Sequence, residues 1–175
     1  MFIKDLIRTI PDYPKPGIMF RDITTLIKDP KGFNYVISEF SRRYSDMKID
    51  KVVGIESRGF IIGAPVANSL GVGFVPVRKR GKLPAKTHSC EYQLEYGFDH
   101  IEVHVDAIST KERILLIDDL IATGGTAEAA CSLINQCGGE IVECAFVIDL
   151  PELGGKKRLE SKCLSVFTIV EFEGH

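Results

Sequence analysis

Three features are missing from this sequence of 175 residues, and each absence excludes a class of protein. No stretch approaches the roughly 18 to 20 consecutive apolar residues that a membrane-spanning helix needs. Acidic and basic residues nearly balance, with 24 against 22 and a formal net charge of −2, which argues against bulk electrostatic binding of nucleic acid. Residues 1–10 alternate charged and apolar side chains and contain no apolar core of a secretory signal. We therefore expect a cytoplasmic protein that binds neither nucleic acid nor membrane.

The five cysteines form neither a disulfide framework nor a metal-binding pattern. Their number is odd, no C-x-x-C pair occurs, and no histidine stands beside them at ligand spacing. Cys131, Cys137 and Cys144 fall in apolar stretches, which is typical of buried, reduced thiols. We predict no metal site made by the chain itself.

From residue 51 onward, short runs rich in Val and Ile alternate with segments of helical period. This alternation is typical of βαβ units, and it predicts one α/β domain over residues 1–175 with a mostly parallel central sheet flanked by helices. The predicted strands are Lys51–Ile55, Phe74–Arg78, Ile114–Asp118, Ile141–Ile148 and Leu164–Thr168.

The helical segments are marked by their spacing and by their ends. One helix is predicted to begin at Pro30, behind Asp29 as N-cap residue, and another to end at the Gly138-Gly139 pair. The segment 60–70 is also predicted to be helical, with Pro65 near its first turn or at a kink. A short helix is expected at about 152–159.

Two regions depart from this rhythm. Residues 10–25 contain three prolines and Gly17, which predict a loop-like cap instead of regular helix. Residues 79–105 are polar and basic and then weakly alternating, which predicts a long excursion containing a hairpin. Connections of that length are more often functional lids than simple links.

The segment ILLIDDLIATGGTAEAA, residues 114–130, carries the most chemistry. A buried strand leads into a loop of small residues and then into a helix. Gly124 and Gly125 allow the backbone to point several N–H groups inward, while Thr123 and Thr126 add hydroxyl donors. The segment predicts a phosphate-binding loop. It is not a nucleotide loop of the GxxxxGK[ST] or GxGxxG type, because neither pattern occurs.

Asp118 and Asp119 stand at the carboxyl end of this strand, where open α/β sheets bind their ligands. A pair of surface acids is the alternative interpretation. It is weakened by the cost of placing two adjacent carboxylates after four apolar residues with nothing to receive their charge. Both acids can address one ligand only if the strand has turned by Asp119.

A run of cations follows the second predicted strand, with five basic residues in nine and no acid among them. Alone, such a run is usually a solvated surface. It comprises Arg78, Lys79, Arg80, Lys82 and Lys86.

The stretch IDDLIATGGT resembles the phosphoribosyl pyrophosphate motif of type I phosphoribosyltransferases. Other stretches are similar to members of that family that use adenine: YPKPGIMFRDIT, GIESRGFIIGAPVA, VRKRGKLPAKT, LEYG and LGGKKRLE. The resemblance spans nearly the whole chain. It implies a Rossmann-like α/β fold with a small N-terminal hood at about 1–28, a mobile β-hairpin lid at about 79–105, and a homodimer.

The resemblance also implies a role for each matching residue. The loop Ala122–Thr126 is expected to hold the ribose 5′-phosphate, and Asp118 and Asp119 are expected to bind the ribose hydroxyls. The loop comprises Ala122, Thr123, Gly124, Gly125 and Thr126. Ser57 and Arg58 belong to the diphosphate loop, where a cis peptide is expected at Glu56-Ser57. Lys79 is the lid cation assigned to substrate, and Mg²⁺ is expected to arrive with the diphosphate.

For the base, the resemblance places Phe20 on the adenine ring, the backbone of Met19 and Arg21 on its edge, and Leu150 on the other face. Glu95 becomes the catalytic carboxylate at the purine N7, with Arg58 as the second catalytic group. From the residues alone, Phe20 would be a core aromatic and Glu95 one more acid on a hairpin.

The predicted reaction converts adenine and phosphoribosyl pyrophosphate into AMP and pyrophosphate. One alternative is the same chemistry on a 6-oxopurine, which carries an acceptor where adenine carries a donor. A less favoured alternative is a phosphoribosyl pyrophosphate-sensing regulator that binds DNA. It is disfavoured because only about 25 residues precede the helix at Pro30, too few for a helix-turn-helix module.

Overall fold

The structure, a computed structural model, describes residues 2–94 and 96–174. The strands are β1 (Arg8–Pro11), β2 (Met19–Asp22), β3 (Lys51–Ile55), β4 (Gly73–Lys79), β5 (Thr87–Gln93), β6 (Phe98–His104), β7 (Arg113–Ile121), β8 (Glu140–Asp149) and β9 (Val166–Glu171). The helices are α1 (Phe2–Asp5), α2 (Thr24–Ile27), α3 (Pro30–Tyr44), α4 (Arg58–Leu70), α5 (Gly125–Gln136) and α6 (Gly155–Glu160), and a 3₁₀ turn covers Pro151–Leu153.

Seven strands form one sheet in the order β5-β6-β4-β3-β7-β8-β9. The five strands from β4 to β9 pair in parallel, whereas β5 and β6 add an antiparallel hairpin beside β4. The chain moves from β3 outward to β4 and later returns to the other side of β3 as β7. The carboxyl ends of β3 and β7 therefore flank the point where the strand order reverses, which is where sheets of this kind bind ligands.

The predicted parallel sheet is confirmed, and β7 is longer than expected. It continues through Asp118 and Asp119 to Ile121, pairing with β8 on both sides of Asp119. The strand therefore does not turn at Asp119. The expectation that the two acids can reach one ligand only after such a turn is wrong, because Asp118 and Asp119 both line one cavity at this end of the sheet.

Helices cover both faces of the sheet. One buried cluster joins α3 and α4 to apolar side chains of β3, β7 and β8, and a second joins α5 to the opposite faces of the same strands. Asp29 caps α3 as predicted, because its side chain accepts a hydrogen bond of 2.7 Å from the N–H of Gly32. Gly138 follows α5 with a φ of +89°, as the predicted helix end requires.

Two local predictions are wrong, and a third is narrowed. Residues 10–25 contain more than a loop, because β1 and β2 pair as an antiparallel hairpin around the proline-rich turn. Pro65 lies in the middle of α4, which excludes the first turn and leaves the predicted kink. The helix predicted at about 152–159 is divided, because Gly154 has a φ of +76° and separates a 3₁₀ turn from α6.

All five cysteines carry free thiols. Among the described residues, no helix has both the length and the apolar character needed to cross a membrane.

Candidate functional site

A cavity of about 270 Å³ opens at the carboxyl ends of β3 and β7. The topology therefore places it at the reversal of strand order, where the sequence predicted a ligand site. The residues that line it are Ile55, Glu56, Ser57, Arg58, Lys79, Tyr92, Ile101 and Asp118 to Ala127. It thus collects the predicted acid pair, the predicted phosphate loop and the predicted diphosphate loop.

Arg58 and Asp119 form an ion pair across this cavity. The start of α4 can lie this close to β7 because residue 59 is glycine. A Cβ there would stand 2.9 Å from the carbonyl oxygen of Ile117 and 3.0 Å from Asp118 Oδ1. Burial alone would lower the pKa of Arg58, but the nearby charge of Asp119 raises it. The guanidinium therefore stays charged and ready for a second anion.

The two neighbouring acids lie in different surroundings, since Asp119 pairs with Arg58 and Asp118 does not. Burial raises the pKa of Asp118 well above its usual range, and the negative charge of Asp119 raises it further. The N–H of Asp119 donates to Asp118 Oδ1 at 2.9 Å. The pair therefore offers one carboxylate held by Arg58 and one carboxyl group inclined to keep a proton.

The loop between β7 and α5 is shaped by two glycines from different elements. Gly124 has a φ of +83°, and a Cβ there would lie 3.0 Å from Gly155. The N–H of Gly155 in turn donates to the carbonyl of Ala122 at 2.9 Å. The first helical bond of α5 runs from Glu128 N–H to the Gly124 carbonyl, so the N–H groups that precede it are left for a ligand.

Glu56 binds three members of the basic run 78–86 at the edge of the cavity. Its carboxylate accepts from the Lys79 N–H at 2.8 Å and from Lys82 Nζ at 2.6 Å, and Arg78 Nε lies 3.5 Å away. Burial would raise the pKa of Glu56, but these donors lower it overall. The Glu56-Ser57 peptide is cis, as the resemblance implied.

The side chain of Lys79 reaches across to the hairpin. Its Nζ pairs with Asp99 and donates to the Tyr92 hydroxyl at 3.1 Å. Lys79, the cation assigned to substrate, thus lies in the cavity and is already paired with Asp99.

The residues predicted to bind a base do not line this cavity. Met19, Phe20 and Arg21 form β2, and the ring of Phe20 makes an edge contact with Tyr13 at 5.2 Å between centroids. Leu150 follows β8 and is buried in the cluster that includes Ile23. The hood and the turn after β8 therefore share one core, beside the cavity.

Glu95 lies outside the described residues. Its neighbours Leu94 and Tyr96 are exposed at the turn between β5 and β6. Lys15 of the hood lies 4.3 Å from the centroid of the Tyr96 ring, so this turn meets the hood.

Sequence reasoning missed three residues of the site. Glu56 is named in the sequence analysis only for its peptide bond with Ser57, yet its carboxylate binds the basic run. A run of cations with no acid among them was the signal for such a partner. Tyr92 lines the cavity and had no signal beyond the weak alternation of its strand. Gly155 stood in a stretch that resembled the family, but without an assigned role.

A parallel sheet with an acid pair and a phosphate-type loop at its reversal point defines an α/β enzyme that handles a sugar phosphate. The model of the phosphoribosyl transferase domain matches residues 25–174, and the chain belongs to this family. It is 68% identical to the adenine phosphoribosyltransferase of Nitrosospira multiformis over all of both chains, and 63% identical to that of Nitrosomonas europaea over 99% of each.

Solved structures agree with this assignment. The crystal structure of adenine phosphoribosyltransferase from Rhodothermus marinus is 50% identical, with a TM-score of 0.91 over 98% of this chain and 97% of that one. The Saccharomyces cerevisiae enzyme, crystallised with an imino-altritol bisphosphate and adenine, is 38% identical, with a TM-score of 0.90 over 97% of both chains.

Proposed function

We propose that this chain transfers the 5-phosphoribosyl group from phosphoribosyl pyrophosphate to adenine, giving AMP and pyrophosphate for purine salvage. The observation that carries the proposal is the cavity itself, where Arg58, the acid pair and the loop before α5 converge. The names of the relatives support adenine as the acceptor.

The ribose 5-phosphate end of the substrate is assigned to the loop Ala122–Thr126. Charge-assisted hydrogen bonds contribute roughly 1.5 to 3 kcal/mol each, more than the roughly 0.3 to 1 kcal/mol of the helix dipole, so the converging N–H groups supply most of the affinity. Asp118 and Asp119 face the same cavity and are assigned to the ribose 2′ and 3′ hydroxyls. A protonated Asp118 can donate to one hydroxyl while Asp119 accepts from the other.

The diphosphate is assigned to Ser57, Arg58 and Lys79. Arg58 has a planar fork of donors suited to two phosphate oxygens, while its pairing with Asp119 holds it in place before substrate arrives. When substrate binds, the Arg58 guanidinium donates to the diphosphate, either in place of Asp119 or in addition to it.

Mg²⁺ is treated as part of the substrate. In residues 2–94 and 96–174, no three His, Cys, Asp or Glu side chains are arranged to hold a metal ion. Of the cavity carboxylates, Glu56 and Asp119 already accept from cations. The chain thus offers few unpaired carboxylate oxygens to an ion, which favours one carried by the diphosphate and its water ligands. Bound with the diphosphate, the ion would supply positive charge to the leaving group.

The base is assigned to Met19, Phe20, Arg21 and Leu150, with Glu95 at N7. Adenine donates from its amino group and accepts at N1, a pattern that a peptide backbone matches in reverse. The contact of Lys15 with Tyr96 supports this arrangement, because it joins the hood to the hairpin of β5 and β6.

In the reaction, the bond from C1′ to the diphosphate oxygen breaks ahead of attack, through an oxocarbenium-like transition state. N9 of adenine then bonds to C1′ and loses its proton. Glu95 at N7 is assigned to hold or pass a proton as this happens. Positioning and electrostatics carry the rest of the catalysis.

Two further properties remain predictions. The resemblance implies a homodimer, which sedimentation equilibrium of the purified chain will test. Cytoplasmic location is a prediction from the sequence, and fractionation of the source cells checks it.

The decisive experiment measures pyrophosphate release from Mg²⁺ and phosphoribosyl pyrophosphate with adenine, hypoxanthine, guanine, xanthine, orotate or uracil offered separately. We expect release with adenine, strong loss in Glu95→Ala, and full activity in Glu91→Ala, a matched change of an exposed acid on the same hairpin. Release with a 6-oxopurine alone overturns the assignment of Met19 to Arg21. Binding of phosphoribosyl pyrophosphate without release for any base would favour a sensor.

A further inference from the structure

The C-terminal segment Phe172–Gly174 contacts the hood strand β2 through the side chain of Arg21. Arg21 Nη2 donates to the carbonyl oxygens of Glu173 at 3.0 Å and Gly174 at 3.2 Å. Its guanidinium carbon lies 4.6 Å from the centroid of the Phe172 ring, a cation–π contact. The segment therefore holds the middle of β2 by two hydrogen bonds and one ring.

The same segment contacts the turn after β8 on both sides of Leu150. The N–H of Phe172 donates to the carbonyl of Asp149 at 3.0 Å, and the N–H of Gly174 donates to Glu152 Oε1 at 3.1 Å. Leu150 lies between these two anchor points and is itself buried. The main chain before Leu150 and the Glu152 side chain after it are thereby bonded to Phe172–Gly174.

The Arg21 side chain is committed to these contacts. Its Nη1 donates to Thr9 Oγ1 at 2.6 Å across the β1–β2 hairpin, and burial lowers its pKa. The guanidinium is thus held by β1 on one side and by the C-terminal segment on the other.

We propose that Phe172–Gly174 is a strap that positions both walls of the adenine site. The inference rests on the proposed function, which puts the backbone of Met19 and Arg21 on the edge of the base and Leu150 on its face. The strap makes no contact with the base. It sets the separation of the two walls, because one short segment is bonded to each of them.

The test uses the full-length chain with Phe172→Ala, which removes the ring under Arg21. We expect the KM for adenine to rise about tenfold, because small displacements of a binding wall are costly, while the KM for phosphoribosyl pyrophosphate keeps its wild-type value. Phe172→Tyr retains the ring and should restore the KM for adenine. Glu173→Gln is the matched control, because only the backbone of Glu173 is used.

Hydrogen exchange measured by mass spectrometry gives a second readout that needs no turnover. Peptides covering 8–22 and 148–154 should exchange faster in Phe172→Ala than in the wild type. If the wild type turns over adenine but the variant keeps its KM for adenine, the strap is overturned and the proposed function stands. An equal rise in both KM values also overturns it, since that indicates general damage.

If the wild type does not use adenine, the proposed function fails and exchange alone decides. Faster exchange in both peptides then supports the strap as the device that holds β2 and the turn. Equal exchange rates in wild type and variant overturn it.

Discussion

Gly155 determines the shape of a loop in a different element of the molecule. Its N–H donates to the Ala122 carbonyl, and its Cα and carbonyl stand beside Gly124. A side chain at 155 would overlap the Ala122 carbonyl and come within 2.8 Å of the Gly124 nitrogen. Because all of these are main-chain atoms of the loop proposed to bind phosphate, the loop itself must move.

We therefore expect Gly155→Ala to raise the KM for phosphoribosyl pyrophosphate by roughly 10- to 100-fold, since displaced N–H groups no longer converge on the phosphate. Steady-state kinetics with saturating adenine measures this. Gly73→Ala is the control, because a Cβ there meets only the flexible side chain of Lys51, at 3.7 Å. An unchanged KM in Gly155→Ala would contradict the proposed role of the loop.

At the residue scale, the sequence predicted what local pattern determines. Asp118, Asp119 and the loop glycines follow one apolar strand, and the structure collects them in one cavity. Gly155 and Glu56 were missed because their partners come from other elements, and a contact between distant segments leaves no periodicity in either one. The prediction ended β7 too early, because two consecutive acids are typical of the end of a buried strand. In the structure the strand continues past both acids to Ile121.

At the scale of secondary-structure elements, the carboxylate of Asp22 joins β2 to α2. Asp22 Oδ1 accepts from the Thr24 N–H at 2.9 Å and its hydroxyl at 2.6 Å, and Asp22 Oδ2 pairs with Arg8 of β1 at 2.5 Å. The hydrogen bond from Thr24 and then that from Arg8 lower the pKa of Asp22 from 3.8 to about 2. The ionised carboxylate thus stabilises the folded hood.

This depressed pKa predicts the pH dependence of unfolding. The stabilisation by Asp22 is complete well above pH 3.8, the ordinary value, and is lost as the pH falls through about 2. We expect Asp22→Asn to lower the free energy of unfolding at neutral pH, and the difference from wild type to shrink between those two values. Urea unfolding across this range measures it. Asp46→Asn, at an exposed acid, should track the wild type; a difference as large at pH 2 as at neutral pH would rule the account out.

Elements with strong periodicity were the predictable ones. The bounds of β3 agree with the prediction, and α3 begins at Pro30 because Asp29 and Pro30 fit a helix start. The hairpin of β1 and β2 was hidden because four-residue strands beside prolines show no alternation. The hairpin at 79–105 was expected as a lid, but its attachment to β4 as an extension of the sheet depends on pairing that sequence does not encode locally. Its mobility stays a prediction.

On the scale of the whole molecule, one buried carboxylate connects the helical layer to the sheet far from the cavity. Glu143 of β8 accepts from Arg43 Nε at 2.7 Å, from the Tyr44 hydroxyl at 2.6 Å and from Ser165 Oγ at 2.7 Å. Arg43 also lies 4.1 Å from the ring centroid of Phe167. Burial would raise the pKa of Glu143, but these donors lower it overall, which favours the ionised carboxylate in the folded protein.

Replacement of this carboxylate should therefore affect stability without affecting the site. Glu143→Gln keeps the shape but removes the charge that Arg43 and Tyr44 bind, and we expect a loss of about 2 kcal/mol in the free energy of unfolding. For a domain of this size the loss corresponds to a fall of roughly 4 to 8 °C in Tm. The KM values for both substrates should stay at wild type, because Glu143 lies near the amino end of β8, whereas the loop before α5 follows the carboxyl end of the parallel strand β7. Calorimetry beside steady-state kinetics measures both quantities, and Glu140→Gln, at an exposed position of the same strand, is the matched control. An unchanged Tm would show that the carboxylate contributes nothing net, as happens when desolvation offsets the gain from pairing.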